Sequence, residues 1–299
     1  MENIWHIENW SEVFNRVFSF WGYTAEPRGY YPRGKRRLNM SLSKQDSPCQ
    51  HCASRPGAAF EEEITMAFQP IFDIETGEVF AQEALVRGKD GRGAGQIFEK
   101  VTDENRYRFD QLCRKTAIEV ATQVGMTSAL SINFMPNAVY EPSHCIAQTL
   151  WAADKYDFDI SRIIFEFTEV EKVRDTQHLI NIIETYREIG FRTAIDDFGA
   201  GFSGLNLLAD VVPDLVKLDR HLIAGLHQNR VRQAIVKRTK QLCDDLGVNV
   251  VAEGIELCEE VEALAELGIT LMQGYCLARP QFEQIKSVPD IDLSVGSVR

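Results

Sequence analysis

The spacing of apolar positions changes near residue 59. From there on, short apolar runs alternate with longer segments whose apolar residues fall at helical spacing. The runs are MAFQPIFD from Met66, VFAQEALVRG from Val79, ALSINFMP from Ala129, RIIFEFTE from Arg162, RTAIDDFG from Arg192, LVKLDR from Leu215, NVVAEGI from Asn249 and LMQGYCLARP from Leu271. Each reads as a strand. Between them lie helix-like stretches such as RYRFDQLCRKTAIEVATQV from Arg106, EKVRDTQHLINIIETYREIG from Glu171 and the amphipathic segment from Arg230 to Leu246. Strands alternating with helices predict a parallel sheet, and eight such units over residues 59–285 predict a closed TIM-like (β/α)8 barrel. The competitor is an open doubly wound sheet. The glycine-rich stretch GKDGRGAG, Gly88 to Gly95, gives that no support, because it holds no G-x-G-x-x-G at a strand-to-helix turn; it reads as a flexible loop.

Residues 1–58 follow a different rule. Trp10, Phe14, Val17, Phe18 and Trp21 stand at helical spacing, so the first part reads as an amphipathic helix that could dock on a protein partner. A basic stretch rich in Gly, Pro and Ser follows, with Arg33, Lys35, Arg36 and Arg37, and reads as a solvated linker. Met40 is an alternative natural start. Cys49 and Cys52 with His51 could form half of a zinc site or a redox pair, but no second Cys-x-x-Cys follows, and ordinary reduced thiols are the favoured reading. Residues 286–299 form a C-terminal tail.

Composition narrows the functional classes. The chain has 299 residues, 44% of them apolar, enough for a large core. Its net charge of −12 disfavours a protein that holds long nucleic acid by a basic surface, although a small anion can still bind through metal ions. No apolar run reaches the length of about 18 residues that a transmembrane helix needs. Glu2, Glu8 and Glu12 stand where a secretory signal wants positive charge, so the expected location is the cytoplasm. Seven scattered cysteines fit a reducing compartment better than a disulfide framework.

The chemistry lies in the polar residues near the strand ends. They are Glu83, Asn133, Glu166, the adjacent Asp196 and Asp197, Lys217, Glu253 and Gln273. A lone Asp-Asp-Phe-Gly is an ordinary turn or helix cap. A barrel, however, gathers its strand ends on one face, and these groups then converge. Carboxylates facing one another repel unless cations lie among them. An all-oxygen set with one amide suits Mg²⁺ or Mn²⁺ rather than zinc, and adjacent aspartates can help hold a two-metal site. That points to metal-assisted phosphodiester hydrolysis. An enolase-type proton abstraction, with Glu166 and Asp196 as ligands and Lys217 as base, accounts less well for the doubled aspartate, Asn133 and Glu253.

These residues also resemble a known family. QEALVR at Gln82 is similar to the Glu-Ala-Leu signature of EAL domains, bacterial phosphodiesterases that cleave cyclic di-GMP. The likeness continues through FQPI, INFMP, FEFTE, DDFGAGFSGL, VKLDR, AEGIE and QGYCLARP, over about residues 60–283. The resemblance implies that Glu83, Asn133, Glu166 and Asp196 bind one metal, with Asp196 bridging and Asp197 reaching a second. It implies that Lys217 and Glu253 position and activate the attacking water, supported by Gln273 and Glu256. It makes Glu169 the holder of the loop after DDFG, and Gln69, Leu85 and Arg87 the substrate contacts, with Arg87 meeting a phosphate. It implies linear pGpG as product and a homodimer formed near that loop. Ala200, Phe202 and Gly204 replace the family's usual Thr, Tyr and Ser, which puts rate and regulation rather than reaction class in question. No GGDEF cyclase signature is present. The alternatives are a nucleotide receptor without turnover, which usually lacks a metal ligand, and a protein-interaction regulator acting through the N-terminal segment.

Overall fold

The structure is a computed structural model that describes residues 59–139, 141–168, 176–201 and 204–291. The expected N-terminal helix and linker, Cys49, Cys52, Glu169, Phe202 and residues 292–299 lie outside the described residues.

The chain opens with a hairpin of β1 (Ile64–Asp73) and β2 (Glu78–Gly88), then continues through α1 (Ala94–Phe98), α2 (Arg106–Gln123) and β3 (Ala129–Asn133). Next come α3 (Pro142–Cys145), α4 (Ala147–Lys155), β4 (Ile163–Thr168), α5 (Thr176–Ile189), β5 (Arg192–Phe198) and α6 (Gly204–Asp210). The last third comprises β6 (Leu215–Leu218), α7 (Arg220–Ile223), α8 (Arg230–Asp245), β7 (Asn249–Ala252), α9 (Cys258–Glu266), β8 (Leu271–Met272) and β9 (Gln281–Phe282).

Strands β2 to β8 pair in sequence order and in parallel. β1 pairs with both β2 and β8 and so closes the barrel. All eight apolar runs of the sequence supply a stave. One expectation needs correction: the sheet is not wholly parallel, because β1 runs antiparallel to both neighbours. The physical reason is the connection. Only residues 74–77 separate β1 from β2, with Gly77 at φ 74, whereas a parallel crossover needs a dozen residues or more.

Apolar packing is divided in two. The larger cluster lies between the outer strand faces and the helices. A smaller cluster plugs the lumen with one residue from each stave: Ile71, Ala81, Ala129, Ile164, Ala194, Leu215, Val251 and Leu271. Side chains alternate between faces of a strand, so the residue two positions further toward the open end returns to the lumen one layer higher. Those residues are Gln69, Glu83, Ser131, Glu166, Asp196, Lys217, Glu253 and Gln273. A period of two therefore turns an apolar floor into a polar ring.

Helix α2 braces one side of that ring. Arg114 is fully buried, ion-paired to Asp110 at 2.7 Å and hydrogen-bonded to the Tyr186 hydroxyl at 2.8 Å, with its guanidinium over Phe134 and Phe165. The other Asp110 oxygen accepts the Met135 amide at 3.0 Å, which fixes the chain just after Asn133. Arg114→Leu leaves the Asp110 carboxylate buried without its counter-charge and is expected to cost about 3–5 kcal/mol of stability. Adding Asp110→Leu should recover part of that loss. Urea unfolding midpoints check both, and a single-variant loss below about 1 kcal/mol would contradict this role for the pair.

Candidate metal centre at the barrel mouth

Lys217 stands at the centre of the polar ring. β6 is short and buried throughout, and the side chain points into the lumen above Leu215. Its Nζ lies 2.6 Å from Glu253 Oε1, 2.8 Å from Glu166 Oε2, 3.1 Å from Asp196 Oδ1 and 3.6 Å from Glu83 Oε2. One ammonium thus faces carboxylates from β2, β4, β5 and the end of β7. Burial works against its charge, but Asp196, Glu166, Glu253 and Glu83 outweigh it and hold the Lys217 pKa well above the ordinary lysine value.

The remaining donors are placed by neighbouring strands. Glu83 receives hydrogen bonds from Asn133 Nδ2 and Gln273 Nε2, both at 2.9 Å. Ser131, on the same face of β3 as Asn133, donates a short hydrogen bond to Glu166 Oε1. The sequence reading missed Ser131, although its position one layer below Asn133 was a usable signal.

Two adjacent aspartates on a regular strand would point to opposite faces. The β5–β6 register slips between Ile195 and Phe198, and Asp197 adopts φ 54 in the left-handed region, which Asp tolerates better than most residues. The bulge turns both side chains to one site, where ligand oxygens of Asp196, Asp197 and Glu253 lie within 4.8 Å of one another. Among the described residues, this is the group of acidic, histidine or cysteine side chains close enough to hold an ion.

Five carboxylates, those of Glu83, Glu166, Asp196, Asp197 and Glu253, share one ammonium. Burial pushes the Glu166 carboxyl up to about 8, with the Glu83 and Asp196 charges adding to the rise and Lys217 opposing it. Burial, followed by the Asp196 and Asp219 charges, raises Asp197 to about 6. Burial also leads the rise of Glu253 well above the ordinary glutamate value. Asp196 Oδ1, Glu253 Oε1 and Gln273 Oε1 are buried and accept no well-directed hydrogen bond, although Lys217 lies close to the first two. Excess negative charge, oxygen-only donors and open lone pairs fit hard divalent cations.

Gln69 lies beside Glu83 in the hairpin register, with Nε2 donating to the Ala278 carbonyl at 3.1 Å. Leu85 and Arg87 continue up the Glu83 face of β2 to the rim, both half-buried, and Arg87 donates to the Val86 carbonyl at 2.8 Å. Glu256 sits differently from the others: it is exposed and ion-paired to Arg220. The loop that carries it is held by Glu260, a residue absent from the sequence reading. Glu260 is buried and accepts the amides of Glu256 at 3.0 Å, Leu257 at 3.2 Å and Gly225 at 2.8 Å.

Comparison with known proteins places this arrangement among relatives. A family model described as EAL domain matches residues 57–280. The chain is 29% identical over 232 residues to the cyclic di-GMP phosphodiesterase PA2567 of Pseudomonas aeruginosa, covering 75% of this chain and 39% of that protein. It is 49% identical to a standalone versatile EAL protein from Vibrio cholerae O395 solved in its c-di-GMP-bound form, with a TM-score of 0.76 over 78% of this chain and 98% of that one. BlrP1 of Klebsiella pneumoniae, solved as a manganese and cyclic di-GMP complex, is 32% identical, with a TM-score of 0.72 over 76% of this chain and 58% of that one. The chain spans 55% and 39% of the length of the first two curated relatives it matches. Among the described residues no helix is long and apolar enough to cross a membrane.

Removing the central ammonium should destabilise the ring. Lys217→Met is expected to lower unfolding free energy by about 3–5 kcal/mol in chelator-treated protein, because the buried carboxylates lose their shared counter-charge. Adding Glu166→Gln should return part of it. Thermal unfolding of the two variants beside the parent checks this, and an unchanged melting temperature for Lys217→Met would refute it.

Proposed function

The chain belongs to the EAL domain family, and from that premise we propose that residues 59–285 form a divalent-metal-dependent phosphodiesterase that hydrolyses cyclic di-GMP to linear pGpG. The observation that carries this reading is the complete ring at the barrel mouth, with Glu83, Asn133, Glu166, Asp196, Asp197, Lys217, Glu253 and Gln273 all present and gathered at one end. The phosphodiesterase relative, the nucleotide in the Vibrio structure and the manganese and nucleotide in BlrP1 support it.

In this reading Glu83, Asn133, Glu166 and Asp196 would hold one cation, Mg²⁺ or Mn²⁺, and Asp196 and Asp197 would hold a second. Such cations supply Lewis acidity toward water and toward the phosphodiester oxygens. The protein supplies position and proton handling. Gln273 and Ser131 fix the orientations of Glu83 and Glu166. Glu253, held by Lys217 at 2.6 Å, accepts a proton from the attacking water, while Lys217 orients that water toward phosphorus. The P–O3′ bond breaks, and the proton that Glu253 took from the water passes to the departing oxygen, which leaves as a ribose hydroxyl, so the product keeps a 5′-phosphate. Arg87 meets a phosphate at the rim, and Leu85 and Gln69 line the approach of the nucleotide. The same reading includes a homodimer and a cytoplasmic site of action, where the messenger is available.

Wild-type protein with Mg²⁺ or Mn²⁺ is expected to accumulate pGpG, resolved by chromatography. Glu83→Ala, with its fold retained, should lower turnover by at least about a hundredfold. Turnover unaffected by that substitution or by chelator would overturn the metal reading, and nucleotide binding without any turnover would make the chain a receptor. Arg87→Ala should raise KM about tenfold with a smaller change in kcat, as loss of a charged phosphate contact predicts. Steady-state kinetics tests this, and an unaltered KM would remove Arg87 from the substrate contacts.

A further inference from the structure

Two loops at the barrel mouth meet without slack. One follows β7 and carries Glu253, Gly254, Ile255 and Glu256 to Cys258, the first residue of α9. The other follows β8 and carries Gln273, Gly274 and Tyr275 to Cys276. Their backbones are stitched together: the Ile255 amide donates to the Gln273 carbonyl at 3.2 Å, and the Cys276 amide to the Ile255 carbonyl at 3.1 Å. Contact is so close at Gly274 that a Cβ there would fall 2.1 to 2.6 Å from Ile255 backbone atoms, so only glycine fits. At the outer edge of this seam Cys258 Sγ lies 3.2 Å from Cys276 Sγ. Cys258 is exposed and Cys276 half-buried, whereas Cys145 and Cys243 are buried.

We propose that Cys258 and Cys276 are an oxidisable dithiol whose disulfide staples the Glu253 loop to the Gln273 loop and lowers the activity of the neighbouring site. The co-reactant class is a peroxide. The Cys258 sulfur loses its proton, attacks one peroxide oxygen and becomes a sulfenic acid, releasing water. The Cys276 thiol then displaces the second water and forms the S–S bond. In sum two thiols and one hydrogen peroxide give one disulfide and two waters, with two electrons passing from sulfur to oxygen. Burial, then the hydrogen bond with Cys258 and the nearby acids, pushes the Cys276 thiol up to about 12. Cys258 is the exposed sulfur of the pair and the one a peroxide reaches first. A thiol pair with one exposed member, among described cysteines that are all free, fits a transient, responsive bond rather than a structural one.

The consequence follows from the seam. Forming a bond of about 2.05 Å requires the sulfurs to approach by about 1 Å. With Gly274 already against Ile255, the segment from Glu253 to Leu257 must absorb that movement, and Glu253 touches Lys217 at 2.6 Å. The effect on activity rests on the proposed phosphodiesterase reading; bond formation does not.

The full-length, fully reduced protein is treated with a small excess of hydrogen peroxide, alkylated and mapped by peptide mass, with pGpG formation measured in parallel. The expected result is a Cys258–Cys276 cross-linked peptide that dithiothreitol removes, and that is absent from Cys258→Ser and Cys276→Ser. Turnover should fall at least fivefold on oxidation, recover on reduction and become insensitive to peroxide in Cys258→Ser. The proposal is overturned if both thiols remain alkylatable, if each oxidises singly without a cross-link, or if the cross-link forms and turnover is unchanged. Because mapping needs no activity, an inactive reduced protein would count against the phosphodiesterase reading while the dithiol is still decided by mass.

Discussion

The ion cluster around Lys217 is the constraint on which the rest of the barrel mouth depends. A buried ammonium alone costs several kcal/mol to desolvate, and several buried carboxylates cost more. Together they are tolerable, because Glu83, Glu166, Asp196 and Glu253 surround Nζ from separate strands. The cluster therefore fixes the register of β2, β4, β5, β6 and β7 as firmly as the apolar plug beneath it does. Yet it is not neutral. One cation against five carboxylates leaves a charge deficit that further cations can relieve, so the arrangement that closes the lumen also prepares it for metal ions.

Much of this was legible from the polar residue that closes each apolar run. In six of the eight staves an apolar residue plugs the lumen, and the residue two further toward the mouth carries the chemistry: Ala81 and Glu83, Ile164 and Glu166, Ala194 and Asp196, Leu215 and Lys217, Val251 and Glu253, Leu271 and Gln273. A polar residue near the end of each run, together with a barrel's gathering of its strand ends on one face, was enough to bring those groups together. It failed where the backbone leaves the regular period. The left-handed turn at Asp197 and the bulge beside it are long-range consequences of β5 meeting β6, so sequence spacing could suggest that both aspartates matter but not how both face inward. The reversal of β1 could have been read from the four-residue gap to β2. β9, only Gln281–Phe282, has no periodicity to detect and exists because β1 offers it free backbone groups near Ala67 and Phe68.

The supporting residues were harder to see because they act through other residues. Asp110 and Arg114 brace the chain after Asn133 from a helix that looks, in sequence, like any amphipathic segment with an i,i+4 pair. Glu260 organises the loop that carries Glu253 by accepting amides at the start of α9, a role shared by many helix-start glutamates. Glu256, selected by family likeness, turns outward to Arg220. The thiol pair across the β7 and β8 loops has no signature in sequence for a related reason: Cys258 and Cys276 are 18 residues apart and meet where Gly274 lets the two backbones touch.

In the proposed function this oxygen-rich ring binds two divalent metal ions. The most direct test is anomalous diffraction from crystals of the protein soaked with Mn²⁺ and a non-hydrolysable cyclic di-GMP analogue. Two manganese peaks about 3.5–4 Å apart are expected, one among Glu83, Asn133, Glu166 and Asp196 and the other beside Asp196 and Asp197. Fully occupied manganese elsewhere on the molecule, with Lys217 still surrounded by the same carboxylates and the ring empty, would contradict it.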